Sequence, residues 1–215
     1  MSKTLEEKLN ENRSYRNTRP FEIREQEDGK MAVEGYATVF NEAYELGSWD
    51  GWDGYRVILL EKVDPSAFDK CDMKDVIMQY NHEGRVFART SNGTLELATD
   101  QKGLKVFAQL QGTEIGRQLY EEIQGGYTTK MSFGFIVRKD KREEETDDEN
   151  RIRTITRTIT DISKLFDVSA VSIPANDATE ISARSYADGV IAELQEEFRQ
   201  VEEAKKKKIK ILTEV

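Results

Sequence analysis

The chain has 215 residues, of which 37% are hydrophobic and 34% charged, and its formal net charge is -9. Because nucleic acid repels a chain without a concentrated basic surface, this composition argues against a general nucleic-acid binder and favours proteins as partners. No apolar run approaches the roughly 20 residues that cross a bilayer, and the lone Cys71 cannot form an internal disulfide, so the sequence predicts a soluble, intracellular protein.

The first part of the chain is polar. Residues 1–20 show no sustained apolar periodicity, which predicts a flexible N-terminal arm. From Phe21 onward there are short segments of period two, rich in β-branched and aromatic residues and separated by turn residues, as in a barrel or sandwich. These predicted strands are FEIRE, MAVEGYATVF, YRVILLEKV, VIMQYN, GTLELAT, GLKVFAQL, KMSFGFIVR, RIRTITRTIT and VSAVSI.

Two segments have helical periodicity instead. Thr113 to Ile123 repeats apolar residues every four positions and stops at Gly125-Gly126, and a longer amphipathic segment runs from about Tyr186 to Lys208. The sequence therefore predicts an α+β fold. We expect three parts, which are the arm over 1–20, a folded domain over 21–184 and a C-terminal helical extension over 185–215.

Two loops are predicted from their composition. Lys139 to Arg151 has 11 charged residues among 13 and is interpreted as an exposed hairpin connection. Gly47 to Tyr55, GSWDGWDGY, offers two aspartates, but Trp52 and Gly54 stand where a calcium loop needs oxygen ligands. We interpret this segment as Asp-Gly turns in a long loop that faces substrate.

Metal and nucleotide chemistry have little support in the sequence. A zinc site usually takes about three or four His, Cys or acidic ligands, whereas this chain has one histidine and one cysteine, far apart. The glycine pair follows a helix and not a strand, so no phosphate-binding loop is indicated. We predict no metal and no other cofactor.

One serine and the only histidine are candidates for nucleophilic chemistry. His82 directly follows the apolar run VIMQY, which predicts a place at the end of a strand, although an exposed turn would also explain it. Ser132 lies in KMSFGF, where strand alternation directs Met131, Phe133 and Phe135 to the core and Ser132 to the opposite, outward face. A serine hydroxyl needs a base within hydrogen-bond reach to act as a nucleophile.

Such a base in turn needs an orienting acid. Asp167, in LFDVSAVSIPAN, opens an apolar strand, where a carboxylate normally requires a partner, and Asp161 is the alternative. A strand-capping or turn role is the purely structural interpretation of Asp167.

Five short motifs follow one another along the chain. They are EGYA at Glu34–Ala37, NH with an acid at Asn81–Glu83, GTL at Gly93–Leu95, MSFGF at Met131–Phe135, and an acid-Val-Ser strand at Asp167–Ser169 before Pro174-Ala175. Their order and spacing resemble the prohead protease family of tailed phages, roughly over residues 21–184. Two departures from the family pattern are Asp167, where glutamate is frequent, and Ala88, where glycine is common.

The resemblance implies a fold similar to the herpesvirus assembly protease, a closed, mostly antiparallel β-barrel flanked by helices. It implies a serine endopeptidase in which His82 takes the proton of Ser132, the alkoxide attacks a peptide carbonyl, and Asp167 stabilises the imidazolium.

The same resemblance implies partners and a place. The enzyme would be packed inside the assembling prohead in the host cytoplasm, where it removes scaffolding segments from the major capsid protein and cleaves itself. We expect a homo-oligomer, with a dimer as one option, and neither nucleic acid nor membrane as a partner. The C-terminal helix is interpreted as a packaging or self-processing extension, and the alternative is a helix that packs on its own barrel.

Two other functions fit parts of the sequence. A non-catalytic assembly or scaffolding protein would keep the same fold and bind capsid subunits through its charged tails. A cysteine peptidase would pair Cys71 with His82, but Asp69, Asp72 and Asp75 lie near the cysteine and disfavour a thiolate.

Overall fold

The computed structural model describes residues 14–20, 22–25, 31–51, 53–172, 195–196, 199–200 and 203. The strands are β1 (Ser14–Pro20), β2 (Glu22–Glu25), β3 (Met31–Val39), β4 (Tyr44–Asp50), β5 (Arg56–Val63), β6 (Ile77–Tyr80), β7 (Glu83–Arg89), β8 (Leu95–Thr99), β9 (Gly103–Gln109), β10 (Lys130–Asp147) and β11 (Ile152–Val171). The predicted helix at Thr113 to Ile123 is confirmed as α1 (Glu114–Gln124), and short 3-10 helices span Pro65–Phe68 and Thr90–Asn92.

The chain divides into two compact units, Met1–Thr179 and Glu180–Val215. In the second unit, residues 195–196, 199–200 and 203 are helical and exposed. The apolar face predicted for the helix from Tyr186 to Lys208 lies outside the described residues. None of the helices in the described part of the chain is long and apolar enough to cross a membrane.

Strand β11 is the centre of a seven-stranded sheet. One of its edges pairs antiparallel with β10 along nearly the whole strand. Its other edge is shared, because β5 pairs in parallel with residues Ile152–Ile159 and β6 pairs in parallel with residues Asp167–Ala170. The remaining strands are β1 beside β10, β4 beside β5 and β7 beside β6. Strand β11 therefore lies between β10 on one side and β6 on the other.

The second sheet has the order β2-β3-β9-β8 and is antiparallel throughout. Side chains from both sheets and from α1 form one core, which includes Val33, Ala37, Met78, Leu104, Val106, Leu119, Ile123, Phe133, Phe135 and Val168. Phe133 and Phe135 stack with ring centroids 4.5 Å apart, as residues two apart on one face of a strand can. This packing fixes the orientation of the start of β10.

The fold expected from the resemblance is wrong. Strands make up about 60% of the described residues, which form two sheets and no closed barrel, and α1 is the single α-helix described between residues 31 and 172. Closing a barrel requires the outer strands of a sheet to pair with each other. Here the outer strands β1 and β4 of the first sheet, and β2 and β8 of the second, have no such pairing among the described strands. The described residues are therefore mainly β, and the predicted α+β class with a closed barrel flanked by helices is not supported.

The charged segment from Lys139 to Arg151 is not a loop. Strand β10 continues to Asp147, and only residues 148–151 connect it to β11. Arginines on β11 form salt bridges with acids on β10 across the hairpin. Arg157 lies 2.8 Å from Asp140, and Arg153 lies 3.2 Å from Glu144. Cross-strand charge pairs therefore extend a strand through a sequence that alone indicates a loop.

The tryptophan segment supports the tip of this hairpin. Residues Gly47–Asp50 belong to β4, and Asp53 pairs with Arg153 at 2.7 Å. The hydroxyl of Tyr55 donates to Asp148 at 2.7 Å. Arg153 and Asp167 lie near opposite ends of β11, roughly 45 Å apart along an extended strand. This segment therefore lies at the end of β11 that is away from the candidate site residues.

The predicted arm contains strand β1, so its last residues are paired with β10. The three-part division of the chain over 1–20, 21–184 and 185–215 otherwise stays a prediction.

Candidate active site

Strands β6, β10 and β11 bring together the three residues predicted from the sequence. Ser132 on β10 pairs with Ser169 on β11, and Asp167 pairs with Gly134. His82 follows β6, which lies on the other edge of β11 at Asp167. The Nε2 atom of His82 is 2.5 Å from the Oγ atom of Ser132, and its Nδ1 atom is 2.6 Å from Oδ1 of Asp167. The side chains thus form a continuous chain of hydrogen bonds.

His82 is positioned by a tight turn between β6 and β7. Asn81 and His82 have φ values of 51° and 62°, in the left-handed region that two-residue hairpin turns use. The side-chain oxygen of Asn81 accepts the backbone N–H of Ser172 at 3.1 Å, and its amide nitrogen donates to the Ser172 hydroxyl at 3.2 Å. The backbone N–H of Asn81 donates to the carbonyl of Ala170 at 2.9 Å. These bonds attach the turn to the end of β11.

Asp167 is a buried carboxylate with two close partners. It is 4% exposed, and the hydroxyl of Ser169 donates to its Oδ1 at 2.7 Å. A buried carboxylate needs such donors to offset the water it has lost. An N–H at Nδ1 of His82 directed at Asp167 leaves the lone pair of Nε2 directed at Ser132. This is the tautomer in which histidine can take a proton from serine.

Ser132 is fully buried, with 0% of its surface exposed. The expectation of a side chain open to solvent is therefore wrong, although Met131, Phe133 and Phe135 are in the core as predicted. Strand β10 lies between β1 and β11, with Asn17 of β1 opposite Ser132, and the imidazole of His82 is against the hydroxyl. Alternation separates the two faces of a strand but does not reveal what covers the second face.

The alternative acid Asp161 lies elsewhere on β11. It is paired with Arg138 at 3.3 Å, and its neighbour across the hairpin is Lys139. The structure therefore places Asp167, and not Asp161, beside His82.

Cys71 has the wrong environment for a nucleophile. Burial raises the pKa of its thiol to about 12, and the nearby Asp72 adds to this effect. The thiol is therefore neutral at neutral pH, whereas the attacking species in a cysteine peptidase is the thiolate. In the described part of the chain, no group of three or more His, Cys, Asp and Glu side chains could hold a metal ion.

Two residues of this site were not predicted from the sequence. Ser169 lies two residues after Asp167, so strand periodicity puts both on one face, and this spacing could have indicated their contact. Asn81 belongs to one of the five motifs, and asparagine before a second turn residue is itself a signal for a tight hairpin.

Comparisons with known proteins find prohead proteases. The family model described as caudovirus prohead serine protease matches residues 19–190, a range that includes His82, Ser132 and Asp167. The prohead protease of Enterobacteria phage HK97 is 31% identical to this chain over 174 residues, which is 79% of this chain and 67% of that protein. No solved structure matches this chain.

Proposed function

Because this chain belongs to the caudovirus prohead serine protease family, we propose that it is an endopeptidase with Ser132 as nucleophile, His82 as general base and Asp167 as orienting acid. The observation that carries the proposal is the hydrogen-bond chain from Ser132 through His82 to Asp167, with distances of 2.5 Å and 2.6 Å. A serine hydroxyl becomes a useful nucleophile at neutral pH when a base and an orienting acid follow it in this order.

The reaction is an acyl transfer in two stages. Nε2 of His82 takes the proton of Ser132 as Oγ attacks the peptide carbonyl carbon, and Asp167 stabilises the imidazolium through the N–H at Nδ1. The imidazolium then gives its proton to the departing amine, which leaves an ester on Ser132. In the second stage His82 takes a proton from water as the water oxygen attacks the ester carbon. The imidazolium then returns that proton to Oγ of Ser132 as the ester bond breaks and the new carboxyl terminus is released.

Ser169 and Asn81 act as positioning residues. Ser169 supports the carboxylate of Asp167 through a bond of 2.7 Å, and Asn81 attaches the histidine turn to Ser172. Both contacts limit the movement of groups that must stay within hydrogen-bond reach during proton transfer.

The substrates are scissile segments of the major capsid protein and of its scaffolding part, together with the enzyme's own chain. The printed name of the HK97 relative, a prohead protease, supports an enzyme that works inside an assembling prohead in the host cytoplasm. The part that carries out this reaction is residues 21–184, and residues 185–215 serve as a packaging or self-processing extension. We also propose that the enzyme forms a homo-oligomer, such as a dimer.

Co-expression with the cognate capsid protein, followed by mass measurement of the products, tests the proposal. The wild type should yield shortened capsid protein, and Ser132→Ala should leave the precursor intact because the nucleophile is missing. Ser163→Ala is the matched control, since its hydroxyl donates to the Ile136 carbonyl on another part of the sheet. Processing of the precursor by folded Ser132→Ala would overturn the assignment and favour the non-catalytic scaffolding function.

A further inference from the structure

A cleft of about 540 Å³ lies beside the histidine turn. Both chain neighbours of His82, Asn81 and Glu83, line it. Strand β7 supplies one wall and helix α1 supplies the other. A peptide bound here is therefore next to the turn that carries the proposed general base.

The β7 wall has a backbone edge that can bind an extended chain. Of the strands that the structure describes, β7 pairs only with β6, so its other edge has no strand partner. Residues Glu83 to Val86 on this strand are exposed, although Val86 itself does not line the cleft. An extended peptide adds to such an edge through main-chain hydrogen bonds, while its alternate side chains enter neighbouring pockets.

The α1 wall is firmly attached to the fold. Thr113 caps the helix by accepting the N–H of Gly116 at 3.1 Å, and Leu119 is 2% exposed. A Cβ atom on Gly116 would lie 2.2 Å from the carbonyl oxygen of Leu110, so the helix approaches this backbone as closely as glycine permits. The helix therefore has a fixed position in the fold and can limit the size of a bound substrate side chain.

The lining of the cleft has apolar and charged parts. Its apolar lining residues are Phe87, Ile115 and Leu119, and its charged lining residues are Glu83, Glu122 and Arg85, which are two carboxylates and one guanidinium. Glu83, Arg85 and Glu122 form no ion pair with any residue in the described ranges. The cleft thus combines apolar surface with one net negative charge.

Resting on the proposed function, we infer that the cleft between β7 and α1 holds the substrate peptide as an added strand and selects a lysine or arginine near the scissile bond. Both side chains have an aliphatic stem that can lie on the apolar wall and a cationic end that can reach Glu83 and Glu122. An acidic side chain at the same position is disfavoured because the carboxylates outnumber the guanidinium.

An internally quenched peptide library tests the selection. Each position in turn is fixed as lysine, arginine, norleucine or glutamate, and kcat/KM is measured for every set. Norleucine is the matched comparison, because it has an aliphatic chain like that of lysine without its charge. At one position the wild type should prefer lysine to norleucine, and the combined change Glu83→Gln with Glu122→Gln should reduce that ratio about fivefold.

Charge reversal on one helix provides the control. Glu122→Lys should shift the preference towards glutamate at the same position, whereas Glu121→Lys, a neighbouring exposed acid that does not line the cleft, should leave the ratio unchanged. Equal ratios in the wild type and in both Glu122 variants would overturn the inference while the protease assignment stands. Absence of any wild-type cleavage, of the library and of the capsid protein alike, would overturn the proposed function and the inference with it.

Peptide binding to an inactive variant tests the cleft separately from catalysis. Lysine-containing peptides selected by the library should bind to Ser132→Ala, as followed by fluorescence anisotropy, and N-methylation of alternate peptide nitrogens should weaken that binding because an added strand needs those donors. Uniform tolerance of N-methylation would overturn the added-strand arrangement.

Discussion

The Oδ1 atom of Asp167 receives two hydrogen bonds, from Ser169 and from Nδ1 of His82 when that nitrogen carries its proton. Ser169 lies on the same strand face as Asp167, and His82 follows the adjoining strand β6, so the sheet holds both donors in place. The carboxylate is thereby held in one orientation, which a longer acid would have to reproduce with an additional rotatable bond. This arrangement supports Asp167 as the orienting acid that we propose.

Asp167→Asn should reduce kcat by about three to four orders of magnitude with little loss of folding, because an amide favours the wrong histidine tautomer. Steady-state assays with a cleaved peptide give the measurement, and circular dichroism checks the fold. Asp161→Asn is the matched control and should stay within about threefold of wild type. Similar losses in the two variants would contradict the assignment of the acid to Asp167.

The three candidate site residues could be named from the sequence, but for different reasons. His82 is the only histidine, and Ser132 follows from alternation in a strand with large core residues. Asp167 is preferred to Asp161 because it opens an apolar strand and matches the family motif, and the pairing of β6 with β11 puts Asp167 beside His82. Their catalytic roles stay a prediction until the variants are measured.

At the scale of elements, the β6–β7 hairpin carries the histidine turn and is closed at its base by an ion pair. The Nε and Nη2 atoms of Arg89 donate to the two oxygens of Asp75 at 2.7 Å and 2.5 Å. This contact with Arg89 lowers the pKa of Asp75 to about 2, helped by the hydroxyl of Ser91. Because the folded pKa lies below the ordinary value of 3.8, this stabilisation is present above pH 4 and is lost as the pH falls towards 2.

Asp75→Asn should therefore make the stability less dependent on pH between 4 and about 2. Urea unfolding at a series of pH values gives the free energy of unfolding for the variant and the wild type. Asp69→Asn removes another exposed acid of the same region and serves as the comparison. An acid limb of the same slope in Asp75→Asn and wild type would argue against a role for this pair.

The parallel pairing of β5 with β11 includes a buried ion pair. Glu61 is fully buried, accepts the Tyr44 hydroxyl at 2.6 Å, and lies 3.1 Å from Nη1 of Arg157. Arg157→Met should lower the free energy of unfolding by about 3 kcal/mol, because a buried carboxylate loses its guanidinium. Denaturant titration measures the change, and adding Glu61→Gln should restore part of it.

Arg142→Met provides the matched control for that prediction. Arg142 also approaches Asp140, at 3.6 Å, but its side chain is 43% exposed. Its removal should change the free energy of unfolding by no more than about 0.5 kcal/mol. A cost for Arg142→Met as large as that for Arg157→Met would show that burial of Glu61 is not the cause.

Elements with strong alternation could be predicted from the sequence, and elements stabilised by distant partners could not. The segments that became β3, β5, β9 and the start of β10 have alternating apolar residues and were recognised. The continuation of β10 through Glu143–Asp147 has none, and it depends on arginines supplied by β11. Local composition therefore indicated a loop where cross-strand pairing gives a strand.

At the scale of the whole molecule, the arrangement of the sheets was beyond the reach of the sequence pattern. Alternation identifies strands but does not specify their neighbours, and β11 pairs with β5 and β6 from much earlier in the chain. The resemblance supplied a closed barrel, whereas the described strands form two sheets with separate edges. The three candidate residues nevertheless lie together, because their contact needs only three adjoining strand segments and not the closure of a barrel.

Deletion of residues 186–215 should leave peptide cleavage intact and reduce incorporation of the enzyme into proheads. The reason is that we propose catalysis for the folded domain and packaging for the extension. Quantitative mass spectrometry of purified proheads measures incorporation, and full-length Ser132→Ala controls for effects of activity. Incorporation equal to wild type would contradict the role of the extension in packaging.

The position of β11 late in the chain and at the centre of its sheet also determines when the candidate site is completed during synthesis. His82 and Ser132 leave the ribosome before the strand that contains Asp167 and Ser169. That strand must then find β5 and β6, and such long-range pairing is slow compared with local hairpin formation. Under the proposed function, a nascent chain therefore lacks its orienting acid until β11 is in place, and cleavage should begin only after translation has passed this strand.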